Sequence, residues 1–338
     1  MKHAVRTGAL VFFAALAFLF APPRSAATQD VLTEATRLFD AGDYRQAASA
    51  LHAALEGSAG PNDARPPSAR LHYWLGRCAY EVHDFDRAIK SLERAVEQEP
   101  GNSDNHLWLG RAYGRRAEVA GWFSGFSLAR KTRREFEAAV RLDPTNFEAQ
   151  HDLIEYYLEA PGIVGGGDEK ASRQIEALVA IDPAEAHLGR GDYWAKKKKP
   201  EQAETEYRQA LEGKSRRVGL YLDVADFYQS RGDAARMEEA VEAAARLDAA
   251  NPRLGYYRGV VRVQAGNRLE EAEQLLKKYL ATVSPRSDFP SHSAAHEWLG
   301  HLYERQGKRA AALEEYRRAV ESDRHNKSAR DDLRRLQK

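Results

Sequence analysis

The sequence is almost without cysteine, since Cys78 is the single one among 338 residues. One cysteine cannot form a disulfide within the chain, so packing alone must stabilise the fold. Cys78 lies two residues after Gly76, on the apolar side of a predicted helix, and we interpret it as a small buried hydrophobic residue rather than a nucleophile.

The sequence also lacks an excess of charge of either sign. It has 51 basic and 50 acidic residues and a formal net charge of +1. A nucleic-acid partner would require a basic surface, so we predict none. The 13 prolines and 24 glycines are too few to indicate a disordered or collagen-like chain. We find no alternating pattern typical of β-strands.

Long hydrophobic runs are absent except near the start, where residues 9–20 are uniformly apolar. Lys2 and Arg6 precede this run, and the small residues 25–27 follow it, which is the arrangement of a secretory signal peptide. The run is shorter than the about 20 residues that a membrane-spanning helix needs. We therefore predict a bacterial periplasmic or secreted protein whose signal, residues 1–27, is cleaved near Ala27. The alternative is an uncleaved signal that tethers an envelope-assembly adaptor to the membrane.

The rest of the chain repeats one unit, of which residues 68–100 are the clearest copy. Apolar residues recur there at three- to four-residue spacing in two segments, and Pro100 ends the second segment. The pair Leu75-Gly76 recurs 34 residues later as Leu109-Gly110. This pattern predicts a solenoid over residues 28–338 with about eight helical hairpins and a polar capping helix. The predicted hairpins are 28–57, 68–100, 102–144, 147–183, 184–213, 217–250, 253–284 and 292–323, and the cap is 327–337.

Two copies of this unit resemble the tetratricopeptide repeat, a 34-residue helix–turn–helix motif. The matching positions are Leu75, Gly76, Ala88, Leu92, Ala95 and Pro100, and Leu299, Gly300, Tyr303, Ala312, Tyr316 and Ala319. The resemblance implies an all-α, right-handed superhelix that acts as a scaffold without enzymatic activity or a cofactor. It also implies a protein or peptide partner held in a concave groove that the first helix of each hairpin lines.

Aromatic and arginine side chains predict where that groove binds, because both contribute strongly to interfaces. The candidates are Arg70, Tyr73, Arg77, Tyr80, Leu107, Arg111, Arg115, His151 and Glu155. The alternative interpretation is an ordinary solvated helix face. Some tetratricopeptide-repeat proteins hold a peptide carboxylate with a Lys and an Asn, and Tyr73 and Arg77 occupy the corresponding positions here. The resemblance therefore does not extend to that mode of recognition.

Two hairpins exceed the period, and we expect both insertions in the turn between helices. The third is ten residues too long around Trp122, Phe123 and Phe126, which we place in a surface turn. These rings either fold back over the region of Tyr156 and Tyr157, which we favour, or stay exposed and dock a partner or a membrane. The insertion of the fourth hairpin is the glycine-rich segment 161–167. We expect Asp168, directly after it, to cap a helix.

Histidines near the last hairpin are the remaining candidates for chemistry. His292, His296 and His301 flank Glu297, but the segment lacks the helical histidine pair that surrounds the glutamate of a zinc protease. We predict no metal and no catalytic residue. The alternative is an enzyme or metal-binding protein that uses the region of His296 and His301. The glycines of segment 161–167 lack the spacing of a phosphate-binding loop, so no nucleotide cofactor is expected.

Overall fold

A computed structural model describes the backbone of residues 24–57 and 68–338 and the side chains within these ranges from residue 30 onward. Residues 1–23 of the predicted signal peptide lie outside the described residues. Its last four residues, 24–27, form the first turn of a helix. Within the described ranges the chain forms seventeen α-helices and one 3-10 turn, without a strand. No described helix is both long enough and apolar enough to cross a membrane.

The helices follow one another in pairs. They are α1 Arg24–Asp40, α2 Tyr44–Gly57, α3 Ala69–Glu81, α4 Phe85–Gln98, α5 Ser103–Glu118, α6 Trp122–Leu142, α7 Phe147–Glu159, α8 Asp168–Leu178, α9 Pro183–Lys196, α10 Pro200–Glu212, α11 Val218–Arg231, α12 Ala234–Leu247, α13 Leu254–Ala265, α14 Leu269–Thr282, α15 His292–Arg305, α16 Arg309–Ser322 and α17 Lys327–Gln337. The 3-10 turn is Gly162–Val164, between α7 and α8.

Local sequence signals account for where the helices begin and how closely they pack. Asp84 caps α4 by accepting a hydrogen bond from the backbone nitrogen of Arg87 at 3.2 Å. Asn102 and Asn146 cap α5 and α7 in the same way. A Cβ atom on Gly76 would lie 2.4 Å from Cγ of Leu92, so only glycine lets α3 and α4 approach this closely.

Each helix packs against the next along the chain, and each first helix also contacts the first helix of a neighbouring hairpin. The result is a continuous stack of eight hairpins with α17 against the last of them. The predicted all-α solenoid of helical hairpins with a capping helix is therefore confirmed.

The insertion of the third hairpin differs from its predicted form, whereas segment 161–167 lies between α7 and α8 as expected. The extra residues of the third hairpin do not form a turn but lengthen its helices, and α6 has 21 residues. Gly121 provides the N-cap of α6, and after Gly125 no glycine or proline interrupts the helix before Pro144. The prediction for Asp168 is also wrong, because Gly167 occupies the N-cap and Asp168 is the first helical residue.

The loop between α14 and α15 closes the solenoid by contacting its first two hairpins. Arg286 forms an ion pair of 3.1 Å with Asp40 and lies 5.3 Å from the ring centroid of Phe39. Tyr44 donates a hydrogen bond to the carbonyl oxygen of Pro285. These contacts join the seventh and eighth hairpins to the first.

Candidate functional site

The inner surface of the solenoid encloses a chamber of about 890 Å³. The first helices of four consecutive hairpins, α5, α7, α9 and α11, provide most of its wall, and the closing loop adds Asp288 and Phe289. Eight carboxylates line it against four cationic side chains and one histidine. The carboxylates belong to Glu148, Asp152, Glu155, Glu159, Asp192, Asp223, Asp226 and Asp288.

Carboxylates already neutralise three of the four cations in the chamber. Arg111 forms a 2.6 Å ion pair with Asp152 and a second one of 3.2 Å with Glu148. Arg217 forms ion pairs with Glu185 at 2.8 Å and Asp223 at 3.2 Å. The third cation, Lys196, forms an ion pair with Glu159. The fourth cation, Arg253, lies 5.7 Å from the ring centroid of Phe289.

Glu185 lies beneath the chamber wall and fixes the histidine that faces the cavity. Nε2 of His151 lies 2.8 Å from a Glu185 oxygen. Burial acts to raise the pKa of Glu185, but hydrogen bonds from His151 and Arg217 outweigh it and lower this pKa to about 2. Within the part of the chain that the structure describes, Nδ1 of His151 has no hydrogen-bond partner, and it lies 4.0 Å from Asp192.

Three chamber carboxylates have no lysine or arginine partner among the described residues. Asp192 accepts a hydrogen bond of 2.7 Å from Tyr207, and Asp226 accepts one of 3.0 Å from Tyr257. Desolvation by the chamber walls raises the pKa of Asp192 to about 6 and, with the neighbouring charge of Asp223, that of Asp226 to about 7, although both side chains remain accessible in part. The third is Glu155, whose pKa is also raised by burial and by nearby carboxylates. Once ionised, these groups are the chamber carboxylates that a cationic ligand could neutralise.

The sequence-predicted groove residues fall into three sets. Arg111, His151 and Glu155 line the chamber. Tyr80 and Arg115 line an adjoining cavity of about 610 Å³, to which Arg111 and Glu155 also contribute. Arg70, Tyr73, Arg77 and Leu107 line neither cavity. For those of these four residues whose side chains are accessible, a role in partner binding stays a prediction.

Two of the predicted groove residues belong to the packed interior instead. Leu107 is 1% exposed because α5 packs between α4, α6 and α7, so the prediction of an accessible Leu107 is wrong. Arg77 is 6% exposed, and its guanidinium lies 3.4 Å from the ring centroid of Trp108. Arg77 also donates a 3.1 Å hydrogen bond to Tyr73. This cation–π contact holds α3 against α5 and leaves Arg77 unable to meet a partner.

The sequence pattern also missed chamber residues. Asp192 and Asp226 were not among the candidates, although one 34-residue period separates them on equivalent first helices. That spacing is a signal that could have identified them. Asp288 and Phe289 lie in a loop rich in helix breakers, and no local pattern indicates that this loop reaches the chamber.

The aromatic residues of the third hairpin form a separate exposed surface. Trp122 is 75% exposed and Phe123 89%, so the favoured interpretation that they fold back over Tyr156 and Tyr157 is wrong. The hydroxyl of Tyr156 instead lies within hydrogen-bond distance of the carbonyl oxygens of Ala129 and Val164. Phe126 is half-buried and packs edge-on against Trp122, with a centroid distance of 4.8 Å.

The histidines near the last hairpin do not converge. His292 contacts the carbonyl oxygen of Val283 at 2.7 Å. Nδ1 of His296 lies 2.7 Å from Glu315, whereas His301 faces Glu297 and Asp332. An enzyme site that combines His296 and His301 is therefore not assembled in the described structure.

Comparisons with known proteins agree with this architecture. Two family models, both described as tetratricopeptide repeat, match residues 69–102 and residues 32–82 and 286–327. The chain therefore contains tetratricopeptide repeats, as the resemblance implied, and such repeats generally mediate protein–protein interactions. No curated protein matches the sequence.

Solved structures resemble the fold. A human IFIT1 dimer with PPP-AAAA is 17% identical with a TM-score of 0.50, over 93% of this chain and 75% of that one. A human IFIT1 dimer with m7Gppp-AAAA is also 17% identical with a TM-score of 0.50, over 89% and 71%. A tetratricopeptide repeat protein from Parabacteroides merdae is 14% identical with a TM-score of 0.45, over 93% and 100%. At these identities the likeness concerns the fold alone.

Proposed function

We propose that this repeat protein is an exported, non-enzymatic scaffold that binds an extended, lysine- or arginine-bearing segment of a protein partner in its chamber. The observation that carries the proposal is the set of three chamber carboxylates, on Glu155, Asp192 and Asp226, that have no lysine or arginine partner among the described residues. Export rests on the sequence of residues 1–27, which has the pattern of a signal peptide.

Charge complementarity favours a basic segment. Arg111 and Arg217 are each held by two carboxylates, and the lining has eight carboxylates against four cations, so the chamber is acidic overall. An incoming ammonium or guanidinium group would donate hydrogen bonds to these carboxylates. Those bonds would replace the ones that the group loses when it leaves water. Phe227 and Phe289 also line the chamber and offer apolar surface to the aliphatic stem of a lysine or arginine.

The size of the chamber favours a short segment over a folded domain. Ligand pockets commonly measure about 300–1,000 Å³, and this chamber of about 890 Å³ lies in the upper part of that range. Such a volume accommodates a few side chains of an extended peptide. The same acidity disfavours anions such as the PPP-AAAA that accompanies the human structure, because a phosphate chain requires cationic contacts.

The sign of the charge on the preferred peptide tests this proposal directly. The intact chain is titrated with two labelled peptides of equal length, one rich in lysine and one rich in glutamate, and binding is followed by fluorescence anisotropy. We expect saturable binding of the lysine peptide that weakens as salt is added. Preference for the glutamate peptide, or no binding of either, would contradict the proposal.

The exposed aromatic surface supports a second function, docking of the scaffold on an anionic membrane. Trp122, Phe123 and Ile163, which is 67% exposed, surround a shallow cavity together with Arg130 and Lys131. Within the described residues no carboxylate forms an ion pair with Arg130 or Lys131. Exposed aromatic rings beside unpaired cations suit the interface of an anionic bilayer.

The neighbouring turns extend this surface along one edge of the solenoid. Arg116 forms a 2.8 Å ion pair with Asp86, which joins the turns of the second and third hairpins. Lys197 pairs with Asp168, which joins those of the fourth and fifth. The fifth turn adds Lys198 and Lys199, which are exposed. This edge therefore presents aromatic rings and cations over several consecutive hairpins.

Vesicle flotation tests the membrane function. We expect the chain to float with phosphatidylcholine vesicles that contain about a third phosphatidylglycerol and not with phosphatidylcholine alone. Replacing Trp122 and Phe123 with alanine should abolish flotation. The control replaces Leu142 and Leu247, two exposed apolar residues at other helix ends, and should float normally. Equal flotation of both double variants would show that this edge does not dock lipid.

A further inference from the structure

Three potential metal ligands converge where the capping helix α17 meets α15. Nε2 of His301 lies 3.7 Å from Oε1 of Glu297 and 3.6 Å from Oδ2 of Asp332. The three atoms all lie within 4.8 Å of one another. The two histidine–carboxylate separations are too long for hydrogen bonds. They approach the roughly 3.3 Å between ligands that tetrahedral zinc bonds of about 2.0–2.1 Å produce.

Each carboxylate has one oxygen held by a neighbour and the other directed at the histidine. Asn326 donates a hydrogen bond of 2.8 Å to Oε2 of Glu297. Arg335 donates one of 2.8 Å to Oδ1 of Asp332. The remaining oxygens, Oε1 and Oδ2, are the ones nearest Nε2 of His301. Such supporting hydrogen bonds are what orient the ligands of metal sites.

A neighbouring tyrosine favours the tautomer of His301 that carries its proton on Nδ1. The hydroxyl of Tyr316 donates to Oε1 of Glu304 at 2.5 Å, which uses its only proton. Its oxygen then accepts the hydrogen bond from Nδ1 of His301, at 2.9 Å. A neutral His301 with its proton on Nδ1 directs the lone pair of Nε2 toward the two free carboxylate oxygens. In that tautomer a bound cation would offset the repulsion among the three acceptor atoms.

The charge of the cluster also favours a divalent cation. Around His301 lie three carboxylates, of Glu297, Asp332 and Glu304, and one guanidinium, of Arg335. These four groups together carry a net charge of −2. We propose that Glu297, His301 and Asp332 bind one zinc-class divalent cation, with the remaining coordination position open to water.

The ion would fasten the last helix to the stack. The buried residues of α17 are Ala329 and Leu336, so little apolar surface holds this helix. A metal bond from Asp332 on α17 to two ligands on α15 would prevent the end of the solenoid from fraying. This role is structural and independent of the chamber and of the aromatic edge.

Zinc titration of the chelator-treated, full chain tests the inference. By isothermal calorimetry we expect one equivalent to bind, with a rise in melting temperature. Replacing His301 with alanine should weaken binding about a hundredfold, since loss of even a supporting residue costs about 10–100-fold. The matched control is His296→Ala on the same helix, whose partner Glu315 lies outside the cluster, and it should bind zinc normally.

A second variant keeps the test decisive if the alanine variant does not fold. Asp332→Asn preserves shape and the contact with Arg335 but removes an anionic ligand, and it should also weaken zinc binding. Absence of zinc binding by the parent chain would overturn the inference. So would equal affinity in the parent, His301→Ala and Asp332→Asn proteins.

Discussion

The side-chain hydroxyl of Ser287 donates a hydrogen bond of 2.8 Å to a carboxylate oxygen of Glu81, a residue 206 positions earlier. The backbone nitrogen of Ser287 donates to the other oxygen of the same carboxylate, also at 2.8 Å. Burial raises the pKa of Glu81, although these two hydrogen bonds oppose the shift. The contact ties the closing loop to α3 and positions Asp288 and Phe289 at the chamber.

The closing contact should contribute measurably to stability. Ser287→Ala removes one hydrogen bond at an exposed position, so we expect the free energy of unfolding to fall by about 0.5–1.5 kcal/mol. Urea unfolding measures this change. The control is Ser124→Ala, at an exposed helical position, which should change stability little. An effect no larger than that of the control would show that the hydroxyl of Ser287 does not contribute to the closing contact.

Lowering the pH from about 8 to about 5.5 should weaken binding of a basic peptide. Asp192 and Asp226 have pKa values raised by desolvation to about 6 and about 7, so both take up protons over this range and lose their negative charge. Anisotropy titrations at several pH values measure the effect. Affinity that does not change over the range would contradict a role for these two carboxylates.

The same two groups should act on stability in the opposite direction. Their pKa values are higher in the folded state than the usual value of an unfolded aspartate, so the folded chain binds more protons between about pH 4 and pH 7. Their contribution to stability therefore rises as the pH falls through this window. Urea unfolding of the parent and of Asp192→Asn/Asp226→Asn should show a smaller pH dependence in the variant.

Removing the exposed rings of the third hairpin should leave the fold intact. Trp122 and Phe123 are mostly exposed, so Trp122→Ala/Phe123→Ala should lower the melting temperature by no more than a few degrees. Thermal unfolding followed by circular dichroism measures this. A large drop would mean that the rings cover the neighbouring hairpins in solution.

Adding a methyl group at Gly76 should destabilise the second hairpin. The new Cβ would lie 2.4 Å from Cγ of Leu92, so Gly76→Ala should cost about 1–3 kcal/mol by overpacking. Gly101→Ala is the matched control, because nothing lies within 4 Å of its added Cβ. Equal stability of the two variants would contradict the close approach of α3 and α4.

The repeat pattern was sufficient to predict the fold because its signal is local. Each Leu-Gly pair, such as Leu75-Gly76, and each closing proline lies within one hairpin, and stacking follows from the shared apolar face. The hydrogen bond between Ser287 and Glu81 could not be predicted in this way. It depends on the accumulated curvature of several hairpins, which no single repeat encodes.

The candidate site was only partly predictable for a related reason. Arg111, His151 and Glu155 were identified because they lie on first helices, whose inner face lines the chamber. Leu107 lies on such a helix too, but its side chain packs into the core. Helical spacing alone does not define how much of a first helix its neighbours cover. The continuous α6 likewise follows from helix propensity after Gly125, which outweighed the expected turn.

The affinity of a lysine-rich peptide for Asp192→Asn/Asp226→Asn tests the central claim most directly. These substitutions preserve side-chain shape and acceptors for Tyr207 and Tyr257 while removing both negative charges from the chamber. The control is Asp331→Asn, at an exposed position of α17. At about pH 8 the account predicts that the double variant binds at least about tenfold more weakly than the parent, with the control unchanged. Equal affinity of all three proteins would contradict binding in the chamber.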